Sequence, residues 1–129
     1  MSEMEGRNAP KVFESEYRMC LILWENEPIK SPELAKLCAK RLGWSRTTTY
    51  SVIHRLEERG VLVNENAVVR SLYTKEEIQR AEMEEMMEKT FEGSVPAFLA
   101  AFAKSRRLSE DDIAKIRAII DEGDKESGE

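Results

Sequence analysis

The densest run of side chains able to recognise another molecule is Trp44-Ser45-Arg46-Thr47-Thr48-Thr49-Tyr50-Ser51-Val52-Ile53-His54-Arg55-Leu56. At helical spacing Thr49, Val52, Ile53 and Leu56 share one face, which leaves Arg46, Thr47, Tyr50, Ser51 and His54 on the other. An arginine fork matches the acceptors on guanine, and threonine either hydrogen-bonds a base or touches a thymine methyl. Serine, tyrosine and the amide-rich start of a helix suit phosphate oxygens. Exposed Thr and Tyr are poor helix formers, so a face that met only water would gain little from them. The run therefore reads as a helix for a DNA major groove. Arg46, Thr47 and Tyr50 are expected nearest the bases. Ser45, Thr48, Ser51, His54, Arg55 and, further on, Arg70 are expected as phosphate contacts or helix supports. The plain alternative is an ordinary polar face carrying a few basic residues.

Charge decides between these only when it is resolved along the chain. The 129 residues carry 20 basic and 25 acidic side chains, a net of −5, which by itself argues against a nucleic-acid partner. Residues 28–60, however, hold seven basic side chains (Lys30, Lys36, Lys40, Arg41, Arg46, Arg55, Arg59) against Glu33, Glu57 and Glu58, a net of +4. The segment before them nets −3 and the segment after them −6. Positive charge focused on one helix pair is the footprint of a phosphate-contacting face.

Other chemistries find little support. His54 is the only histidine, so a histidine-based triad would have to use it, with Ser51 three residues away and no acidic orienter evident. There is no glycine-rich phosphate loop, dinucleotide fingerprint or metal-ligand spacing, so no enzyme, cofactor or metal site is expected. Cys20 and Cys38 fall on apolar stripes and read as small buried hydrophobes in a reducing, cytoplasmic setting. The longest apolar stretches, Met19 to Trp24 and Val95 to Ala103, fall well short of the roughly 20 residues a bilayer span needs. The acidic start of the chain does not read as a secretory signal.

The elements that must hold the reading helix follow from periodicity. Phe13, Tyr17, Cys20, Leu21 and Trp24 predict a first amphipathic helix over residues 14–27. Ser31 as N-cap and Pro32 at the first helical position predict a second, with Leu34, Leu37 and Cys38 inward and Gly43 breaking it. Ser45 caps the third, which runs to about Arg59, and Gly60 supplies a left-handed stop. Val61 to Val63 and Val68 to Tyr73, separated by Asn64-Glu65-Asn66, predict a two-stranded hairpin. Three helices and a hairpin wing make a winged helix-turn-helix over residues 13–74.

After Tyr73 the pattern is helical again. A Met-rich helix over 75–92 (Ile78, Met83, Met86, Met87, Phe91) precedes a segment with Val95, Phe98, Leu99 and Phe102 at helical spacing. A last helix begins at Ser109 with Asp112 in a capping-box-like start, shows Ile113, Ile116, Ile119 and Ile120, and is expected to end at Gly123. The fold class is mainly α: a winged helix-turn-helix, then a three-helix dimerisation region over 75–122. Residues 1–12 and 123–129 are expected as a disordered arm and tail. Amphipathic helices beyond a closed winged domain bury themselves best against a copy of the same chain. Met86, Met87, Phe98, Leu99, Phe102, Ile116, Ile119 and Ile120 are the expected contacts. These helices could equally complete one globular core.

The residues also resemble a known family. Glu16-Tyr17-Arg18-Met19 leading to Leu23-Trp24 is similar to the first-helix signature of the penicillinase-repressor family of winged-helix transcriptional regulators. Leu42-Gly43-Trp44-Ser45, with Thr48, Tyr50, Arg55-Leu56 and Gly60 in register, extends the likeness. So do Phe91-Glu92-Gly93-Ser94-Val95, Phe98 to Phe102 and Leu108-Ser109-Glu110, over residues 13–122 in all. The resemblance implies a homodimeric repressor on a palindromic operator, relieved when a sensor-linked protease cuts the dimerisation region. The family's Asn–Phe scissile bond maps onto Ala101-Phe102, with Ala in place of Asn. The cysteine-rich carboxy terminus of the copper-responsive branch is absent, and the wing has Asn64-Glu65-Asn66 and Tyr73-Thr74 where the family has Gly-Arg and a Pro after the Tyr. A second class of function is a winged-helix adaptor that binds protein without sequence-specific DNA binding. The salt dependence of binding separates the two.

Overall fold

The protein was analysed as a computed structural model that describes residues 8–127, with the backbone alone for 124–127. The elements in chain order are α1 (Glu14–Asn26), β1 (Ile29–Lys30), α2 (Ser31–Leu42), α3 (Arg46–Glu58), β2 (Leu62–Glu65), β3 (Val68–Ser71), α4 (Lys75–Phe91), α5 (Val95–Ser105) and α6 (Glu110–Ser127). The fold class agrees with expectation: mainly helical, a winged helix-turn-helix followed by three helices. The chain forms two compact units, the first ending at Met86 and the second beginning at Met87. The first turns of α4 therefore belong with the winged domain, beyond the boundary near residue 74 that the sequence indicates.

The first unit is built around one apolar core. Met19, Cys20, Ile22 and Leu23 of α1 meet Leu34 and Cys38 of α2, Val52, Ile53 and Leu56 of α3, and Val61, Leu62 and Val69 of the wing. Ile78 of α4 closes the cluster, and Val12 packs into it from before α1. Both cysteines are free and buried, as small hydrophobes should be. The arm expected over residues 1–12 falls partly outside the described residues, but Val12 is buried and Ala9 lies against the core, so its last part is packed.

Several local expectations need correction. The buried stripe of α1 is Met19, Cys20, Ile22 and Leu23, so Cys20 lies inward as expected, whereas Phe13 is exposed and Leu21 half-buried. The wing carries a third strand: β1 pairs with β3 (Ile29 with Val69, Lys30 with Val68), giving an antiparallel sheet in the order β1-β3-β2. The hairpin turn is Asn66-Ala67, both with positive φ, while Asn64 and Glu65 are strand residues. Two successive left-handed residues match the right-handed twist of the strands they join. Ser31 is the first residue of α2 rather than its cap, and its N–H donates to the Ala67 carbonyl at 2.8 Å.

Gly43 and Gly60 behave as their types require. Gly43 ends α2 with φ 71° and Gly60 follows α3 with φ 78°, conformations that a side chain at Cβ would strain. Gly123 does not end α6, which continues to Ser127. The remaining residues of the expected tail lie outside the described ones. No helix among the described residues is long and apolar enough to cross a membrane.

Candidate nucleic-acid interface

Ser45 starts the candidate reading helix as predicted. Its Oγ accepts from the Thr48 amide at 3.1 Å and donates to the Thr48 hydroxyl at 2.9 Å, so both side chains are committed to the first turn of α3. Thr49 adds a bond from its hydroxyl to the Ser45 carbonyl at 3.3 Å and is buried with Val52, Ile53 and Leu56. The inward face is therefore the one the periodicity indicates. It turns Arg46, Thr47, Ser51, His54 and Arg55 to solvent.

Tyr50 occupies an intermediate place. It is half-buried against the core, its hydroxyl accepts from Arg46 at 3.4 Å, and the Arg46 guanidinium lies 5.6 Å from its ring centroid. The ring thus acts as a platform that holds Arg46 over the first turn of α3. Across from Arg46, α2 contributes Pro32, Ala35, Lys36 and Ala39 to a shallow groove of about 170 Å³.

The cations of this region divide by what they already touch. Arg55 lies with Nε 3.5 Å from Glu16, Arg70 donates to Glu65 at 3.1 Å, Arg41 to Glu25 at 2.8 Å, and Lys36 sits 3.7 Å from Glu33. His54 Nε2 is 3.3 Å from Glu58. Among the described residues Arg46, Lys30 and Lys40 form no ion pair with an acidic side chain. The first was expected to read bases. Lys30 of β1 and Lys40 of α2 belong to the positive segment without being expected contacts, and the signal for Lys40 is an unmatched lysine on the helix before the reader.

Glu16 is the residue sequence reasoning passed over. It is a carboxylate only 2% exposed. It accepts from the Phe13 amide at 2.9 Å and from the Arg59 guanidinium, with Arg55 alongside. Arg59 also donates to the Lys11 carbonyl at 2.6 Å and covers the Phe13 ring at 5.2 Å. Burial pushes the Glu16 carboxyl up, but the Arg59 hydrogen bond, the Phe13 amide and the charges of Arg59 and Arg55 outweigh it and hold it below its ordinary range. This cluster ties the end of α3 to the start of α1 and so fixes the angle of the reading helix. Burial likewise pushes the Cys20 thiol up to about 12, with the Glu16 charge adding to it, and raises Cys38, which leaves both unreactive near neutrality.

The expected dimerisation residues fall on both units. Met86 is half-buried at the end of the first. In the second, Phe98 stacks edge-on against Phe91 at 5.5 Å and lies 5.9 Å from Phe102. Leu99, Ile119 and Ile120 are exposed, Met87 and Ile116 half-buried. Val95 and Ile113, which the expected contacts omit, are exposed as well. Ser94 and Ser109 cap α5 and α6, the latter reciprocally with Asp112 as its spacing predicts. Ala101 is exposed and Phe102 half-buried, both within α5.

Compared with known proteins, residues 13–122 match the family model described as the penicillinase repressor. No curated protein matches the chain.

Proposed function

Because the chain belongs to the penicillinase repressor family, whose members are DNA-binding transcriptional repressors and not enzymes, we propose that it acts as a cytoplasmic homodimer on a palindromic operator. One α3 enters the major groove of each half-site, the two about 34 Å apart. The observation that carries this reading is the outward face of α3. Arg46 is braced on Tyr50, lacks an acidic partner among the described residues, and shares a shallow groove with Lys36 of α2. Arg46 and Thr47 lie in the first turn, where a recognition helix meets base edges. Ser51, His54 and Arg55 reach towards phosphates along the same face. Ser45 and Thr48 support the helix start, and Arg70 of the wing reaches the backbone once it leaves Glu65.

An anisotropy titration against operator DNA tests this. Affinity should fall steeply between roughly 50 and 200 mM salt. Arg46→Ala should cost on the order of 1–3 kcal/mol and relax specificity. Unchanged affinity removes Arg46 from the site, and no binding to genomic fragments at low salt favours a protein-binding adaptor.

Pairing of subunits rests on the exposed apolar side chains of the second unit. Relief of repression by a sensor-linked protease would act at Ala101–Phe102, which lies inside α5, so the helix must open before a protease can engage it. A chain stopped at Ala101 should lose tight operator binding while its winged domain stays folded. Full affinity from that chain would remove cleavage there as a way of relieving repression.

A further inference from the structure

The first unit holds a cleft that operator binding does not use and that shares only Met86 with the residues expected to pair subunits. Its volume is about 530 Å³, within the range of small-molecule sites. Val12, Ile78, Met83 and Met86 form its apolar wall, and Tyr17 faces it from α1. The Tyr17 ring is fixed from two sides: its hydroxyl accepts from Gln79 at 3.1 Å, and its ring meets Trp24 edge-on at 5.8 Å. Met83 stands 53% exposed at the mouth, a flexible side chain able to close over what enters. Among the described residues, the charged ones lining the cleft are Glu14 and Glu82.

We propose that this cleft binds an amphipathic organic cation, an apolar body carrying an ammonium or similar group. The apolar wall takes the body, the Tyr17 ring offers a π face, and the two carboxylates favour positive charge. Nearby cations offset only part of this preference, because three carboxylates, Glu14, Glu82 and Glu85, stand against the two cations Arg18 and Lys11. Arg18 is held by Glu14 at 2.9 Å, and Lys11 by Glu85 at 3.1 Å with Glu82 at 4.0 Å. These are exposed pairs, cheap to rearrange around a ligand.

The cleft is also wired to the reading helix. Val12 sits between Lys11, whose carbonyl holds Arg59, and Phe13, whose ring lies under the same guanidinium. Arg59 closes α3 and pairs with Glu16. A ligand that displaces residues 11–13 changes how the end of α3 is gripped, so occupancy weakens operator binding. This coupling rests on α3 reading DNA. The binding does not.

Two probes of matched shape and opposite charge, tetraphenylphosphonium and tetraphenylborate, are titrated calorimetrically into the full chain without DNA. The cation should bind saturably, one per chain, and at least about tenfold more tightly than the anion. Glu82→Gln should weaken the cation about threefold. Met83→Trp, which fills the mouth, should abolish binding while leaving thermal unfolding intact. Absence of saturable cation binding, equal affinity for both probes, or undiminished binding by the filled variant overturns the site. A filled variant whose only change is in self-association also overturns it, and assigns the cleft to a second copy of the chain. In the operator titration the cation should lower affinity for the wild type and not for Met83→Trp. Binding without that effect overturns the coupling alone. If no DNA binds at all, the functional reading fails while calorimetry still decides the site.

Discussion

The two units spend similar apolar content in opposite ways. In the first, side chains from α1, α2, α3, the wing and the start of α4 converge on one buried cluster. In the second, α5 is rich in apolar residues yet buries none of them fully, and Ile119 and Ile120 of α6 are 70% and 55% exposed. Apolar periodicity marks a face that needs covering. What covers it depends on whether the partner lies in the same chain. The sharpest way to break this contrast is to remove one leucine or isoleucine from each unit. Leu34→Ala, at a position with no exposure, should cost about 4 kcal/mol in urea unfolding of the winged domain. Ile119→Ala should leave that transition unmoved. A comparable shift from both would mean that the second unit is a core after all.

Next in size is the buried ionic cluster of the first unit, which has no counterpart among the described residues of the second. Removing the Glu16 side chain strands Arg59 and part of Arg55, and Glu16→Ala should destabilise the first unit by about 3 kcal/mol, the low end for a buried pair because Arg59 is partly exposed. Its pH dependence has a definite sign. The folded carboxyl titrates below its unfolded value, so the unfolded chain takes up the proton first as pH falls. The contribution is complete above about pH 5, declines as pH drops through the ordinary Glu value near 4.3, and is gone below the folded one. Glu16→Gln should flatten that acid limb. An unchanged slope between pH 3 and 5, on the order of that window, would show that other carboxylates govern it.

What was legible from the residues alone follows the same division. Features set by near neighbours could be read: the Ser45 and Ser109 caps, the left-handed Gly43 and Gly60, and the inward face of α3. Features set by distant partners could not. Glu16 looks like any surface glutamate until Arg59, 43 residues on, is folded against it. β1 is two residues long, too short to show a period, and exists because β3 offers it an edge. Ala67 adopts a positive φ because the hairpin register demands it, not because alanine prefers it. Gly123 reads as a stop, yet glycine within a helix costs only about 1 kcal/mol, and here the helix runs on. For the interface, residue types pointed to α3, but only the fold separates Arg46, without an acidic partner among the described residues, from Arg55 and Arg70, already held by Glu16 and Glu65.

A third, smaller effect tests the pairing of copies directly. Replacing Ile119 and Ile120 together by serine should cost the self-association about 2 kcal/mol, roughly thirtyfold in dissociation constant. Sedimentation at micromolar concentration reads this. Because dimeric binding joins two half-sites, operator affinity should fall with it while the fluorescence of Trp24 and Trp44 in the first unit stays constant. Monomers in the wild type would sink the pairing, and an unchanged dimer in the variant would move the interface off this face.

The smallest effect sets the same chemistry in both units. Ser45 and Ser109 are both N-caps, with amide-to-Oγ distances of 3.1 Å from Thr48 and 3.0 Å from Asp112. Each serine-to-alanine change removes about 1 kcal/mol from its helix. In α3 that loss falls on a helix locked by Thr49, Val52, Ile53 and Leu56, so it should appear as a lower midpoint of global unfolding and as weaker DNA binding through the loosened first turn. In α6 the helix has no fully buried side chain among those described to share the loss, so Ser109→Ala should appear as faster amide exchange in its first turns, with the midpoint of the winged domain unchanged. If the two substitutions instead shifted one common unfolding transition equally, the units would fold as a single cooperative block, and the contrast between a self-sufficient reader and a face awaiting its partner would fail.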